Sequence, residues 1–91
     1  MRRAAKQDAN QAEIVARLRQ CAVSVEFIGK PVDLLICCRG ETLLMEVKNP
    51  DGKNALTQEQ VEFISRWPGK VHIVRSVDDA LLAVLGSQAL S

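Results

Sequence analysis

The sequence predicts a single α/β domain, and three observations lead to this prediction. The chain has 91 residues, which is the size of one small domain. Its hydrophobic fraction of 47% and charged fraction of 25% are those of an ordinary globular protein and argue against a disordered tail, a fibrous repeat or a coiled coil. Helix-like and strand-like segments follow one another in the order α-β-β-β-α-β-α, without an internal repeat or a linker.

Apolar residues at helical spacing predict three helices. Thr57 is a candidate N-cap for the second helix, which Pro68 and Gly69 end. Asn10 is a candidate N-cap for the first, and Glu13 follows it by three residues, as in a capping box. The predicted helices cover residues 10–20, 57–67 and 76–85, after a polar and basic lead-in at 1–9 and before a frayed tail at 87–91.

Four short apolar or alternating segments predict strands at residues 23–27, 32–38, 41–48 and 71–74. Arg39 and Gly40 form a two-residue turn between the second and third strands, and the polar run 49–54 is a loop. The second and third strands are apolar on both faces, which predicts a sheet that is covered on both sides.

The sequence also predicts a cytosolic protein. The basic start has no apolar segment behind it and so does not resemble a secretory signal, and the apolar runs fall far short of the roughly 20 residues that cross a bilayer. The three cysteines lack zinc-ligand spacing and are expected to be reduced thiols that fill apolar space. Cys37 and Cys38 are adjacent in a predicted strand and should point to opposite faces.

The hairpin of the second and third strands places two carboxylates opposite each other. Counting outward from the turn, with Cys38 opposite Glu41, puts Asp33 opposite Glu46. The Cβ atoms of such a pair are roughly 5 Å apart. Lys48 shares their face because side chains alternate along a strand.

Two facing carboxylates destabilise a sheet unless a cation lies between them or one of them keeps its proton. Hard oxygen donors favour Mg²⁺ or Mn²⁺, which needs only one or two carboxylates together with waters and a substrate phosphate. A lysine beside such a site can orient or deprotonate a water, or neutralise charge that develops on a phosphate. The alternative is a salt-bridge cluster without a metal, which is costly among apolar strand residues.

The pattern of these residues resembles the PD-(D/E)XK nuclease superfamily. Asp33 followed by Glu46-Val47-Lys48 matches the D-x(n)-E-x-K signature, and the superfamily core has the same α-β-β-β-α-β order. The chain further resembles the stand-alone, virus- or phage-type proteins of the VRR-NUC branch over roughly residues 10–86. The stretches that carry this narrower resemblance are Gly29-Lys30-Pro31-Val32-Asp33-Leu34-Leu35, Met45-Glu46-Val47-Lys48 and Leu56-Thr57-Gln58-Glu59-Gln60.

The chain departs from the superfamily at one position, because Val32 separates Pro31 from Asp33, where the superfamily has proline directly before the aspartate. The resemblance implies a restriction-endonuclease-like fold, with a mixed four-stranded sheet flanked by helices and a C-terminal helix. It also implies site roles for residues of the second and third strands. Asp33, Glu46 and the backbone carbonyl of Val47 would bind a divalent cation, and Lys48 would position or activate the attacking water.

Two further catalytic candidates have alternative roles. Gln60 is the only polar member of an apolar stripe, and the resemblance places the motif glutamine there, facing the metal site. The alternative is a capping box with Thr57, which explains a glutamine at this position without any catalysis. Superfamily members often supply an acidic residue from the first helix, which here would be Glu13. Its alternatives are an ion pair with Arg17 and the capping box with Asn10.

The implied activity is that of a Mg²⁺- or Mn²⁺-dependent endonuclease that hydrolyses phosphodiester bonds in DNA, without an organic cofactor. Related nucleases resolve branched DNA, so we expect a homodimer that selects DNA structure, such as a four-way (Holliday) junction, in repair or replication within a bacterial or phage-infected host cytosol. The apolar run 80–85 is a candidate dimer interface or simply packs on the sheet. The alternatives are a non-catalytic DNA-binding or assembly subunit with this fold, and a small interaction domain whose charges only pair.

Charge and aromatic content constrain how DNA would be bound. A net charge of +1 argues against a protein that coats DNA in general, and an aromatic fraction of 3% argues against base stacking. Phosphate contacts would come from basic residues in the lead-in and in loops near the carboxylates, although each could equally be a solvated surface charge. The candidates are Arg2, Arg3, Lys6, Lys30 and Lys53.

Overall fold

The chain folds as an α/β domain in which helices lie on both faces of one mixed four-stranded sheet. The computed structural model describes residues 5–51 and 55–86, with the backbone alone for residues 5–8. The elements are α1 (Ala5–Gln20), β1 (Ser24–Phe27), β2 (Leu34–Cys38), β3 (Glu41–Val47), α2 (Gln58–Arg66), β4 (Val71–Val74) and α3 (Val77–Leu81), which continues as a π-helical segment over Leu82–Gly86. The predicted class and order of elements are confirmed.

The sheet has the order β1-β2-β3-β4, with the first three strands antiparallel and β4 parallel to β3. The turn between β2 and β3 has φ of 54° at Arg39 and 83° at Gly40, and two positive φ values are what a two-residue type I′ hairpin turn requires. Leu34 therefore pairs with Met45 in the register that the sequence predicts.

The larger apolar core lies on one face of the sheet, between the strands and helices α1 and α3. It contains buried residues from both helices and from all four strands or their ends: Ile14, Val15, Leu18, Val23, Val25, Leu34, Ile36, Cys38, Leu43, Met45, Val47, Val74, Ala80 and Val84. On the opposite face, α2 packs Phe63 against Leu44 and Val32. Hydrophobic stabilisation amounts to about 25 cal/mol per Å² of apolar surface buried. The larger core, between the sheet and helices α1 and α3, therefore supplies most of it.

One face of β2 is open to solvent, so the prediction that β2 is buried on both faces is wrong. Leu35 and Cys37 are exposed, whereas β3 is buried on both faces from Leu43 to Val47. The reason is that α2 has only nine residues and contacts β3 and β4 rather than β2. Cys37 and Cys38 do point to opposite faces. Cys38 is buried in the apolar core and Cys21 packs against it, whereas Cys37 is exposed and does not fill apolar space.

Helix α1 begins at Ala5, which corrects the predicted start at residue 10. Asn10 is therefore an internal helical residue and not an N-cap, and the predicted capping box with Glu13 is wrong. Residues 5–9, Ala-Lys-Gln-Asp-Ala, are mostly good helix formers, so the helix extends through part of the expected lead-in. No helix in the described part of the chain is long and apolar enough to cross a membrane.

The outer edge of β1 is covered by an arginine from α1. Ile28 donates its N–H to the Asp33 carbonyl, and because main-chain groups of a strand alternate between its two sides, the Val25 carbonyl faces away from β2. The Arg19 Nη2 donates to this carbonyl at 2.8 Å, and the guanidinium lies 5.7 Å from the centre of the Phe27 ring. The arginine thus occupies an acceptor that another strand could otherwise use.

Candidate functional site

Asp33, Glu46 and Lys48 form one group, here called the carboxylate–lysine cluster, on the α2 side of the sheet. Asp33 stands one residue before β2, just beyond the last ladder pair of Leu34 and Met45, and it still lies against Glu46: the Asp33 N–H donates to Glu46 Oε1 at 3.1 Å. In return, the Val47 N–H donates to Asp33 Oδ2 at 2.8 Å. The predicted juxtaposition of the two carboxylates is therefore present.

The turn before β2 fixes the main chain of Asp33. Its carbonyl accepts from the N–H groups of Ile28 and Gly29, at 2.9 and 3.2 Å. Gly29 has φ of 80°, a conformation that residues with a side chain rarely adopt, and this allows the chain to reverse between β1 and β2. The N–H and the carbonyl of Asp33 are thus both hydrogen-bonded, and this fixes its main chain so that the side chain is directed at β3.

Lys48 closes the cluster from the other side. Its Nζ lies 3.1 Å from Glu46 Oε2 and donates to the Ala55 carbonyl at 3.2 Å. Glu46 is 3% exposed and Lys48 is 6% exposed, so this ion pair is removed from water. A buried pair of this kind is stabilising only when both charges keep their partners.

Burial and the second carboxylate together make Asp33 difficult to ionise. Burial raises the pKa of the Asp33 carboxyl, and the charge of Glu46 and a hydrogen bond with it raise this pKa further. The Val47 amide and the Lys48 ammonium oppose the rise. The cluster therefore carries more negative charge than its one lysine neutralises, and a proton or a cation between the carboxylates would relieve the repulsion.

The donor set of the cluster suits a hard divalent cation. Asp33 and Glu46 supply carboxylate oxygens, and the Val47 carbonyl lies on the same side of β3 as its N–H, which points to Asp33. In residues 5–51 and 55–86, no group of three or more His, Cys, Asp or Glu side chains is arranged to hold a metal. Mg²⁺ retains several waters and needs only one or two carboxylates, so these residues fit it in chemistry and number.

Access to the cluster is from the part of the sheet that α2 leaves uncovered. The neighbours of the carboxylates on this face are Ile28, which is bonded to Asp33, and Ile73, which pairs with Glu46 in β4. Both isoleucines are exposed, and Asp33 itself is half-buried. A ligand would thus approach over an apolar border and meet Asp33 first.

Gln60 forms the capping box that was one of its two predicted roles. Its Oε1 accepts from the Thr57 N–H, and Thr57 Oγ1 accepts from the Gln60 N–H, both at 3.1 Å. The Gln60 Nε2 also donates to the Pro31 carbonyl at 3.4 Å. The cap therefore ties the start of α2 to the chain two residues before Asp33, next to the cluster without contacting its charges.

The structure does not bring Glu13 to the cluster. Glu13 is exposed on α1, which packs on the opposite face of the sheet, and it borders a cavity of about 340 Å³ together with Pro50 and Arg75. The predicted partner Arg17 instead donates to Gln20 at 3.1 Å. Neither proposed local role of Glu13 is thus realised.

The basic candidates are only partly within the described residues. Lys30 is exposed at the border of a cavity of about 540 Å³ between the Gly29–Pro31 turn and α2. Arg66 also borders this cavity and was not predicted, because nothing in its spacing distinguishes it from a surface charge. Arg2, Arg3 and Lys53 lie outside the described residues, and of Lys6 only the helical backbone is described.

Two residues that hold the end of β3, Asn10 and Arg75, were not predicted to do so from the sequence. Asn10 Nδ2 donates to the Lys48 carbonyl at 3.0 Å and to the Arg75 carbonyl at 3.4 Å. Arg75 Nη1 donates to the Asn49 carbonyl at 2.9 Å. The sequence does contain an indication for Asn10, because asparagine has a low helix propensity. An asparagine inside a helix therefore suggests that its side chain makes a hydrogen bond to a backbone group.

In comparisons with known proteins, no family model, no curated protein and no solved structure matches the chain. Its function is therefore inferred from the geometry of the carboxylate–lysine cluster.

Proposed function

We propose that the protein is a Mg²⁺- or Mn²⁺-dependent DNA endonuclease of the PD-(D/E)XK superfamily, in its VRR-NUC branch, with the carboxylate–lysine cluster as the active centre. The observation that carries the proposal is the facing pair of Asp33 and Glu46, with Lys48 on the same face. A meander of three antiparallel strands followed by a parallel fourth strand also supports the restriction-endonuclease-like topology.

The residues of the cluster have distinct roles in this proposal. Asp33, Glu46 and the Val47 carbonyl hold the cation, which when bound supplies a Lewis acid for the phosphate and a more acidic water. Lys48 keeps an ammonium beside Glu46, where it orients the attacking water and offsets charge growing on the phosphate. The Val47 N–H fixes the orientation of the Asp33 carboxylate.

The substrate in this proposal is DNA with a structural feature such as a branch or four-way junction, cut by a homodimer. Lys30 and Arg66, on either side of the cavity next to the cluster, supply local phosphate contacts. Glu59 and Glu62 border the same cavity and limit its net charge. Binding should consequently be modest in affinity and weaken with salt, with a slope set by few phosphate contacts.

A non-catalytic domain is the second candidate, and one observation favours it. Lys48 donates to both Glu46 and the Ala55 carbonyl, and Asp33 accepts from Val47, so every member of the cluster has a partner within the protein. In that case the cluster is a buried ion group that fixes the loop after β3 to the sheet. The second carboxylate facing Asp33 weighs against a purely structural role, because a structural ion pair with Lys48 needs only one carboxylate.

Cleavage assays with a matched pair of variants decide between the two. Supercoiled, single-stranded and four-way-junction DNA are incubated with the protein in Mg²⁺, Mn²⁺ or EDTA. We expect metal-dependent cleavage that is lost in Glu46→Gln and kept in Glu41→Gln, because Glu41 lies on the same strand in an exposed ion pair with Lys70. Cleavage that survives EDTA, or that Glu46→Gln retains, would falsify the metal mechanism, and DNA binding without cleavage would support the non-catalytic domain.

A further inference from the structure

A single asparagine of α1 joins the ends of two parallel strands. Lys48 and Arg75 directly follow β3 and β4, whose last residues Val47 and Val74 are paired. The Asn10 amide nitrogen carries two hydrogens and donates to the carbonyls of both residues, at 3.0 and 3.4 Å. One side chain thereby holds the two strand ends at the point where the pairing of β3 with β4 stops.

The main chain of Lys48 is fixed at both of its polar groups. Its N–H donates to the Val74 carbonyl at 2.9 Å, and its carbonyl accepts from Asn10. Its side chain leaves on the other face of the sheet, where the ammonium meets Glu46 and the Ala55 carbonyl. The long lysine side chain has many rotamers, so its ammonium is placed reproducibly only if its Cα is fixed.

Arg75 extends the same arrangement by one residue. Its guanidinium donates to the Asn49 carbonyl at 2.9 Å, and its own N–H donates to Asp79 Oδ2 at 2.9 Å. The carbonyls of residues 48, 49 and 75 are thus all satisfied by side chains instead of a continuing strand. The chain can therefore leave the sheet immediately after Lys48 without exposing buried acceptors.

We propose that Asn10 is the positioning residue for Lys48: by holding the Lys48 carbonyl from α1, it sets where the Lys48 ammonium stands beside Glu46. The catalytic consequence of this proposal rests on the proposed function, whereas the geometric part does not. Asn10 acts through hydrogen-bond donation, so a side chain of the same shape that cannot donate should fail in its place.

The geometric part is tested by nuclear magnetic resonance of the lysine ammonium groups. The signal of Lys48, identified by its loss in Lys48→Arg, should shift or exchange away in Asn10→Ala and equally in Asn10→Asp. Gln11→Ala is the control, since it removes a half-buried amide side chain one residue along the same helix. A Lys48 signal that is the same in Asn10→Asp and Gln11→Ala overturns the proposal, provided that circular dichroism shows both variants to be folded.

The catalytic part is tested by the separation of kcat from KM on cleavable DNA. Because misplacement of a catalytic group by about 1 Å can cost ~100-fold, we expect kcat to fall ~10- to 100-fold in Asn10→Asp, with KM changed by less than about twofold. Wild-type kcat in Asn10→Asp overturns the positioning role and leaves the nuclease proposal intact. If the wild-type protein cleaves no DNA, the nuclease proposal fails, and the ammonium signal alone decides the role of Asn10.

Discussion

Removal of the Lys48 ammonium should destabilise the fold far more at neutral pH than in acid. In Lys48→Met, Glu46 keeps a 3% exposed carboxylate that faces Asp33 without its cation. Breaking a buried pair by removing one partner costs ~3–5 kcal/mol. The free energy of unfolding of a domain is only about 5–15 kcal/mol in total, so the loss is a large fraction of it.

A second substitution isolates the pair. Replacing both charges, in the double variant Glu46→Gln and Lys48→Met, should recover most of the loss, because no buried charge is left unpaired. Glu46→Gln alone should cost less than Lys48→Met, because the lysine keeps the Ala55 carbonyl and the nearby charge of Asp33. The coupling between the two substitutions should therefore lie at or above the upper end of the ~0.5–3 kcal/mol range that contacting residues show.

The loss of stability in Lys48→Met should be smaller in acid. Without Lys48, the carboxylate pair binds a proton more tightly in the folded than in the unfolded state, so the penalty grows as pH rises through the folded pKa and shrinks below it. We therefore expect a loss of ~3–5 kcal/mol at about pH 8 and clearly less at about pH 5, measured by urea unfolding.

An exposed ion pair of the same type is the control. Lys70 lies 3.4 Å from Glu41, with side chains that are 47% and 43% exposed, so Lys70→Met should cost less than about 1 kcal/mol at both pH values. A Lys48→Met loss as small as that of Lys70→Met, or one that is independent of pH, would refute the argument that the cluster holds excess negative charge.

Further predictions concern residues around the cluster. Because the Asp33 pKa is raised above 3.8 in the folded state, the free energy of unfolding should fall as pH rises from about 3.8 through the folded-state pKa. Asp33→Asn should make this fall smaller in urea unfolding. The same variant should also lose any rise of Tm that Mn²⁺ causes in the wild-type protein. Thr57→Ala should lower the free energy of unfolding by ~1 kcal/mol through loss of the α2 cap. Gln60→Glu should preserve that cap, because glutamate also accepts the Thr57 N–H. If this variant keeps wild-type stability but no longer cleaves DNA, the Gln60 amide belongs to the active centre. If it still cleaves DNA, the role of Gln60 is limited to capping α2. Arg19→Ala should increase association in light scattering, because it uncovers the outward carbonyl of β1, and unchanged scattering would contradict an edge-protecting role.

The hairpin was predictable because local chemistry decides it. Arg39 and Gly40 take the two positive φ values of a two-residue turn, and the register of every pair back to Leu34 follows from that geometry. The opposition of Asp33 and Glu46 is one further step of the same count. The partners of Lys48 were less accessible, since Ala55 meets it only through the path of the following loop.

The features that sequence missed depend on which element covers which surface. The exposed face of β2 reflects the shortness of α2, and residues such as Leu35 look like core residues in isolation. Asn10 matches a helix start by its residue type, and only the contact with Lys48 explains it inside α1. The π-helical segment that follows α3, Leu82–Gly86, likewise has no distinct local pattern.

The same hairpin has a consequence for the order in which the protein folds. Asp33 and Glu46 are 13 residues apart and meet through a two-residue turn, whereas Asn10 and Lys48 are 38 residues apart. Contacts of short sequence separation form with the least loss of chain entropy and so tend to form first. The two carboxylates should therefore meet before α1 docks and fixes the main chain of Lys48. The repulsion between them then raises the barrier to folding, and protonation of one carboxylate lowers that barrier.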